Sequence, residues 1–399
     1  MKILIVSQYY YPEQFQINEI ASELVRRGHS VTVLCGLPNY PKGEIFPGYA
    51  DESKLVETID GVNVIRVKNK PRGHNPLSLI RNYTSYVREA NKELEYLDKD
   101  YDVVLGYQLS PVTSMLPAVK YKKETNAPLL LYVLDIWPVS AESHLPIKRG
   151  LIYKWISKIS NKIYNSADRI LVTSKPFISY LNKVNSVPLE KTGYLPQHAD
   201  VTMLNQDLAK SKESVVNFMF AGNLGAGATL EVIVNAAKII GKRPDYKVHF
   251  VGDGSQRLKL ENLIKSSGLS DNFVFHGNKS RNEMPDYYKL ADALLITLRG
   301  NNEVGNTMPG KLQMYMTVGK PIFGAINGAA KEVIEEAQCG KCTKAGDSEG
   351  LADIMLDFIE NSTSYAQCGE NARKYFVNNF TLDKYVSCLE TELSKLIKR

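Results

Sequence analysis

This sequence predicts an α/β fold made of two successive Rossmann-like units. Three observations carry that expectation. Short apolar runs alternate with helically spaced segments, the alternation restarts in the second half, and 399 residues make about two to three domains at ~150 residues each. An apolar fraction of 44% with 23% charged residues is ordinary for a globular chain. It excludes disordered, collagen-like and disulfide-scaffold classes.

The elements follow in order. Lys2–Val6 is a short apolar run, expected as a first strand; the opening MKILIVSQYY has neither the long apolar core nor the cleavage site of a leader. Residues 17–27 carry Ile17, Ile20, Ala21, Leu24 and Val25 on one helical face, and Gly28 ends that helix. Val31–Cys35 is the second strand. Helices are expected at about 83–99, 111–123 and 149–165, leading to strands at Val103–Tyr107, Leu129–Leu134 and Ile170–Thr173. A βαβ series of this kind implies a parallel sheet covered on both faces.

The second half repeats the grammar. Strands are expected at Asn217–Ala221, Lys247–Val251, Phe273–His276, Ala293–Leu298 and Pro321–Gly324. Helices fall at Leu230–Ile240, Arg257–Ser266, Met284–Leu290 and Lys311–Val318. The boundary is expected near Gly193–Gln206, giving domains 1–195 and 196–381. The apolar spacing of Tyr385, Leu389, Leu393 and Leu396 predicts a final helix at 382–399.

The charge is uneven. Residues 1–195 hold 25 Lys+Arg and 19 Asp+Glu, so the whole net charge of +6 belongs to the first half. A nucleic-acid partner is not expected, because that half lacks an interleaved aromatic motif. Residues 148–165 place Ile152, Trp155, Ile156, Ile159 and Ile163 on one helical face and Lys154, Lys158 and Lys162 on another. A basic amphipathic helix with a tryptophan suits an anionic membrane surface; the competing reading is a helix packed on the sheet with a solvated lysine face. Lys68, Lys70, Arg72, Arg81 and Arg88 add a second basic stretch. No apolar run reaches the ~18 residues of a span. The five scattered cysteines suit reduced thiols, and a cytoplasmic protein is expected.

In open α/β sheets, ligands bind beyond the carboxyl ends of strands. The first such turn, SQYYYPEQF, has no G-x-G-x-x-G, and the chain has no G-x-x-x-x-G-K-[ST] and no H-E-x-x-H. Cys339-Gly-Lys-Cys342 is a lone C-x-x-C, short of a zinc set. The second half offers more. Gly222 and Asn223 open a loop with three glycines, Phe220–Gly227, between strand and helix; a plain tight turn has the same composition. Gly252 and Gly254 sit in a second strand-end loop. Pro309, Gly310, Lys311 and Leu312 open a helix with a cation at its N-terminus, an arrangement that suits a diphosphate. Arg299, at the end of the preceding strand, adds a second cation. Lys279, just past the strand at 273–276, joins these donor-side candidates. His198 is a lone histidine at the expected domain crossing.

These motifs, taken in order, carry a resemblance. Val251–Gly254, Phe273–Gly277, Tyr288–Ala293 and Pro309–Pro321 resemble the nucleotide-sugar domain of family 4 glycosyltransferases of the GT-B fold. Tyr9–Glu13, Arg27–Val31, Leu37–Gly43 and Asp135–Pro138 are similar to its bacterial capsule, O-antigen and exopolysaccharide branch, which includes N-acetylfucosamine transferases. The resemblance implies two Rossmann-like domains facing across a cleft, with the final helix crossing back to the first. It implies a retaining hexosyl transfer from a UDP-sugar to a lipid-linked or oligosaccharide acceptor. It also implies no metal or other cofactor, and peripheral placement on the inner membrane face. Asp135 falls near the family's N-domain histidine and becomes the catalytic candidate. Glu13, Asn39 and Tyr40 are the acceptor-side candidates. The chain departs from the family at Asn306 and Met314, where a glutamate pair is usual, and at Asn223 and Ala228, where Arg and Lys are usual. The missing glutamate pair keeps one alternative open, a non-catalytic sugar-nucleotide-binding subunit; a second alternative, a GT-B sugar-nucleotide epimerase, needs acid/base carboxylates and histidines in the cleft.

Overall fold

The computed structural model describes residues 1–141, 150–208, 214–300 and 308–398. They form two compact units: Met1–Gln197 with Leu382–Arg399, and His198–Thr381.

The first unit contains β1 (Lys2–Val6), α1 (Ile17–Arg26), β2 (Ser30–Gly36), β3 (Val56–Ile59), β4 (Val62–Val67), α2 (Pro76–Glu93), β5 (Val103–Gln108), α3 (Leu116–Thr125), β6 (Leu129–Val133), α4 (Leu151–Ser166), β7 (Arg169–Val172), α5 (Lys175–Asn185) and β8 (Thr192–Tyr194). Its sheet runs β3-β4-β2-β1-β5-β6-β7-β8. Every pair is parallel except the β3–β4 hairpin, which turns at Asp60-Gly61 with both residues at positive φ. Val, Ile and Leu dominate the central strands because both sheet faces are covered.

The second unit contains β9 (Val216–Ala221), α6 (Glu231–Ile240), β10 (Tyr246–Val251), α7 (Arg257–Ser266), β11 (Phe273–Gly277), α8 (Met284–Leu290), β12 (Ala293–Thr297), α9 (Gly310–Val318), β13 (Ile322–Ala325), α10 (Gly328–Glu336), β14 (Gly340–Thr343), α11 (Ser348–Asn361) and α12 (Ala366–Asn379). Its six parallel strands run β11-β10-β9-β12-β13-β14. The strand order reverses between β9 and β12. The carboxyl ends of those two strands are therefore the switch point where a ligand crevice is expected.

The chain then returns. Helix α13 (Leu382–Ile397) buries Tyr385, Val386, Leu389 and Leu393 in the core that holds Ile3, Ile5, Leu130 and Tyr132. The rings of Tyr132 and Tyr385 meet edge to face at 5.4 Å. Arg27 reaches Glu390 at 2.7 Å and Asp383 at 2.6 Å, His29 Nε2 meets Glu390 at 2.7 Å, and Arg169 pairs with Glu392 at 2.6 Å.

Two sequence expectations are corrected. The helix expected at 83–99 begins at Pro76 and ends at Glu93. Asn75 Oδ1 accepts from Ser78 N while the Ser78 hydroxyl faces Asn75 N, a reciprocal cap with proline at the first helical position. The amphipathic face expected on residues 148–165 is divided in α4. Ile156 and Ile163 are buried in the core with Ile159 packed on it, whereas Leu151, Ile152 and Trp155 are exposed, Trp155 by 62%. Lys154, Lys158 and Lys162 are exposed as well. Residues 148 and 149 lie outside the described residues.

Candidate active site

The donor-side candidates gather at the carboxyl edge of the second sheet. The loops after β9 and β10 are locked together: Gly222 N–H donates to Val251 O at 2.8 Å, Leu224 N–H to Asp253 O at 2.9 Å, and Gln256 N–H to Leu224 O at 2.9 Å. That interlock explains two glycines. A Cβ on Gly252, at φ +128°, would lie 2.1 Å from Gly222 O, and one on Gly254 would lie 2.5 Å from Asn223 Oδ1. Both are small because two loops pass each other there. The loop after β9 is also tied to the end of β12, since Arg299 N–H donates to Gly227 O at 3.0 Å and the Thr297 hydroxyl donates to Ala228 O.

Lys311 occupies the centre of this edge. It lies in the first turn of α9, capped by Pro309, and its amine sits 3.3 Å from the centroid of the Phe220 ring. Tyr315, one turn later, pins α9 to β9 through its hydroxyl, which accepts from Ala221 N at 2.7 Å and donates to Ala221 O at 3.2 Å. Half-burial of Lys311 pulls its ammonium down to about 7, because the charged form loses water. Helix α9 has no acidic residue in its first turn. Helix α6, which follows the glycine-rich loop, starts with Glu231. An incoming anion is thus favoured at α9 and opposed at α6.

The remaining candidates divide. Gly310 is exposed, and a Cβ there would meet nothing within 4 Å. Arg299 is exposed, and its side chain has no partner among the described residues. Asn223 is exposed on the rim. Lys279 places its ammonium 5.1 Å from the Tyr287 ring centroid. Leu312 is a correction: its side chain is fully buried in the core and its N–H donates to Pro309 O at 3.0 Å. Neither group is offered to a ligand. Ala228 is buried and Met314 packs on the core; Asn306 lies outside the described residues. His198 is buried, which places it in the structure of the second unit.

The first unit has its own rim. Glu13 is 2% exposed, and its Oε1 accepts from Asn39 N at 2.8 Å and Tyr40 N at 2.7 Å. Its Oε2 is buried without a partner, and desolvation lifts the carboxyl to about 7 against those two backbone bonds. Glu13 and Asn39 are therefore buried loop-holding groups, and Tyr40, 39% exposed, is the surface member of the three. Asp135 follows β6; its Oδ2 accepts from Ser110 N at 3.1 Å. Oδ1 has no partner among the described residues. Sequence reasoning missed the aromatic cluster here, in which Tyr9 stacks on Phe15 at 5.3 Å and both rings touch Tyr40. The run Tyr9-Tyr10-Tyr11 was the available signal.

Among the described residues, no three His, Cys, Asp or Glu side chains are placed to hold a metal ion. Cys339 and Cys342 are free thiols, and burial pushes both up to about 12.

Two parallel α/β units, one with a cation-bearing helix N-terminus at its switch point, define a glycosyltransferase of the GT-B class. Comparison with known proteins agrees. Residues 15–201 match the family model described as Glycosyltransferase Family 4, and residues 205–375 match Glycosyl transferases group 1. The chain belongs to the family 4 glycosyltransferases. It is 22% identical over 98% of its length, and 99% of the relative's, to O-antigen chain mannosyltransferase C of Escherichia coli. It is 22% identical to N-acetyl-alpha-D-glucosaminyl L-malate synthase of Bacillus anthracis, where the match covers 59% of this chain and 58% of that protein. The fold is also that of Anabaena HepE, solved in complex with UDP, at a TM-score of 0.68 and 17% identity over 99% of this chain and 100% of that one. Relatives of this kind are glycosyltransferases that act in polysaccharide and lipopolysaccharide synthesis.

Proposed function

We propose that this enzyme transfers a sugar, with retention, from a UDP-sugar to a lipid-linked glycan during capsule, O-antigen or exopolysaccharide synthesis. The observation that carries the reading is the pairing of Lys311 with the first turn of α9 at the β9–β12 switch point. The second unit is the donor side. There the diphosphate is held by the free N–H groups of α9, by Lys311 and by Arg299, with Gly310 leaving room for approach. As the bond from the anomeric carbon to the phosphate oxygen breaks, negative charge grows on the diphosphate, and these groups stabilise it. The acceptor hydroxyl attacks from the same face and its proton passes to the departing phosphate oxygen. Asp135 is the catalytic candidate that the first unit contributes. The donor sugar is an N-acetylated hexosamine or deoxyhexosamine, in keeping with N-acetylglucosaminyl transfer in the names of several relatives. No metal is required, since helix N-termini and basic side chains do its work.

The first unit also docks on the inner face of the membrane. Leu151, Ile152 and Trp155 of α4 are exposed beside Lys154 and Lys158, and Leu77 and Ile80 of α2 are exposed beside Arg81. Apolar tips flanked by cations suit an anionic leaflet. Among the described residues, no helix is long and apolar enough to cross a membrane.

A thermal-shift panel of UDP, GDP, CDP and dTDP, each with and without EDTA, tests the reading. A ligand at 100 times its dissociation constant stabilises by about 2.7 kcal/mol, worth a few degrees. A UDP-selective shift that survives EDTA is expected. A GDP-selective shift would give the donor a different nucleotide, an EDTA-sensitive shift would restore a metal, and silence would leave a non-catalytic subunit.

A further inference from the structure

Two lysines stand at the donor edge of the second unit, and their amines are held in opposite ways. Lys279 donates to the Tyr287 hydroxyl, and that bond holds its amine above the ordinary value and charged. Lys311 has no hydrogen-bond or ion-pair partner among the described residues. Its chain folds into the gap that Gly222 leaves, and its amine lies 3.3 Å from the Phe220 ring centroid. The ring displaces water from the amine and brings no counter-charge. Burial lowers the group from 10.5 to about 7. A large share of it is therefore uncharged at neutral pH, with a lone pair open to electrophiles. Desolvated lysines of this kind condense with carbonyl compounds.

The surroundings of the amine select which carbonyl compound arrives. The first turn of α9 carries N–H groups without helical partners and no acidic residue. Gly310 in that turn is exposed, so the approach is open. Anchor and amine belong to one helical turn, and a phosphorylated aldehyde of a few carbons spans them. The exposed lysines of α4, Lys154, Lys158 and Lys162, lie within their helix and lack such an anchor.

We propose that Lys311 is a modification site for phosphorylated aldehydes, which seat their phosphate at the first turn of α9 and condense with the amine, closing the donor side reversibly. The amine nitrogen attacks the carbonyl carbon and gives a carbinolamine. Loss of water then forms the C=N bond, and the imine nitrogen takes a proton from solvent. Water reverses the step, and nothing is oxidised or reduced. The closure rests on the reading of the second unit as the donor side.

The test incubates the full chain with glyceraldehyde 3-phosphate or with glyceraldehyde, each with and without saturating UDP. Sodium borohydride traps the imine, and mass spectrometry maps the labelled lysines. Wild type and Lys311→Arg are compared, with melting temperatures to confirm folding. Glyceraldehyde 3-phosphate is expected to label Lys311 about tenfold faster, or more, than Lys154, Lys158 or Lys162. UDP should suppress that labelling, glyceraldehyde should show no such preference, and labelled wild type should lose UDP binding. Lys311→Arg keeps a cation without a nucleophilic amine, so the same treatment should leave whatever UDP binding it has. Labelling of Lys311 no faster than of the α4 lysines, equal labelling by the two aldehydes, or labelling that UDP leaves unchanged in a protein that binds UDP overturns the proposal. Failure of untreated wild type to bind UDP would instead remove the donor reading, and phosphate-dependent labelling of Lys311 would stand without it.

Discussion

Gly222 and Lys311 share one space: a Cβ at position 222 would fall 2.9 Å from Lys311 Cε and 3.0 Å from its Nζ. The glycine at the end of β9 leaves the gap into which the lysine of α9 folds. It also holds φ at +139°, a backbone that side chains rarely adopt. Gly222→Ala should displace the amine and strain the turn by about 1–3 kcal/mol. UDP affinity should then drop by about tenfold in isothermal titration. Unchanged affinity in a folded variant would uncouple the glycine from the lysine.

Lys311 should make UDP binding depend on pH. Its folded value is lowered from 10.5 to about 7, so the burial penalty on its charge is full below 7. That penalty is relieved as pH rises toward the unfolded value, and free-protein stability gains over that window. A bound diphosphate favours the charged amine, so binding at pH 8 should take up close to one proton. Affinity should fall by up to about tenfold per pH unit above 7. Calorimetry at pH 8 in two buffers of different ionisation heat reads the proton directly. Lys311→Met should abolish the uptake and cost ~1.5–3 kcal/mol of UDP affinity near neutrality.

Glu13 predicts the opposite slope. Its folded value is raised from 4.5 to about 7, so the folded state holds the proton longer. The cost of burying this group is absent below about 4.5, grows between 4.5 and 7, and is full above 7. Glu13→Gln keeps an oxygen for the N–H groups of Asn39 and Tyr40 and removes the charge. The variant should be more stable than wild type by ~1–3 kcal/mol at pH 8 in urea unfolding. The difference should vanish at pH 4.5; a gap of equal size at both pH values would contradict the assignment.

Asp135→Asn retains an oxygen for Ser110 N and loses the charge. Turnover should fall by about 100-fold, in the range of a misplaced acid–base group, while UDP affinity is unchanged. An unimpaired rate would take Asp135 out of the chemistry.

The exposed tip of α4 should mediate membrane binding. Lys154→Glu with Lys158→Glu should lower partitioning onto vesicles containing anionic lipid by about 30-fold or more at low salt, at ~1 kcal/mol per lysine. Neutral vesicles should bind neither protein. Equal flotation of variant and wild type would leave the lysines as a solvated face.

Much of the scaffold was legible in the sequence. Lys2–Val6, Ile17–Arg26 and Arg257–Ser266 stand where the apolar pattern put them, because β1 is a continuous apolar run covered on both faces and each of the two helices buries one face. The β3–β4 hairpin was overlooked despite Asp60-Gly61. Its four-residue first strand is half-exposed, so it lacks the apolar run on which the other strands were found. The donor rim was found through its glycines, but their reason was not. Gly252 and Gly254 are fixed by a neighbouring loop brought close only by the fold. Arg72 shows the limit most clearly: along the chain it is one cation of five, and only the folding together of Tyr9, Tyr40 and Tyr83 gives it a distinct environment.

Helix α13 sets an order of events during synthesis. The ribosome makes β1 to β8 first, then the entire second unit, and only afterwards the helix that covers Ile3, Ile5, Leu130 and Tyr132. Until then the nascent first unit presents that apolar groove to solvent, while Arg27, His29 and Arg169 await Glu390 and Glu392. Chaperone occupancy on translating ribosomes should therefore persist until α13 emerges, long after the first sheet has been made.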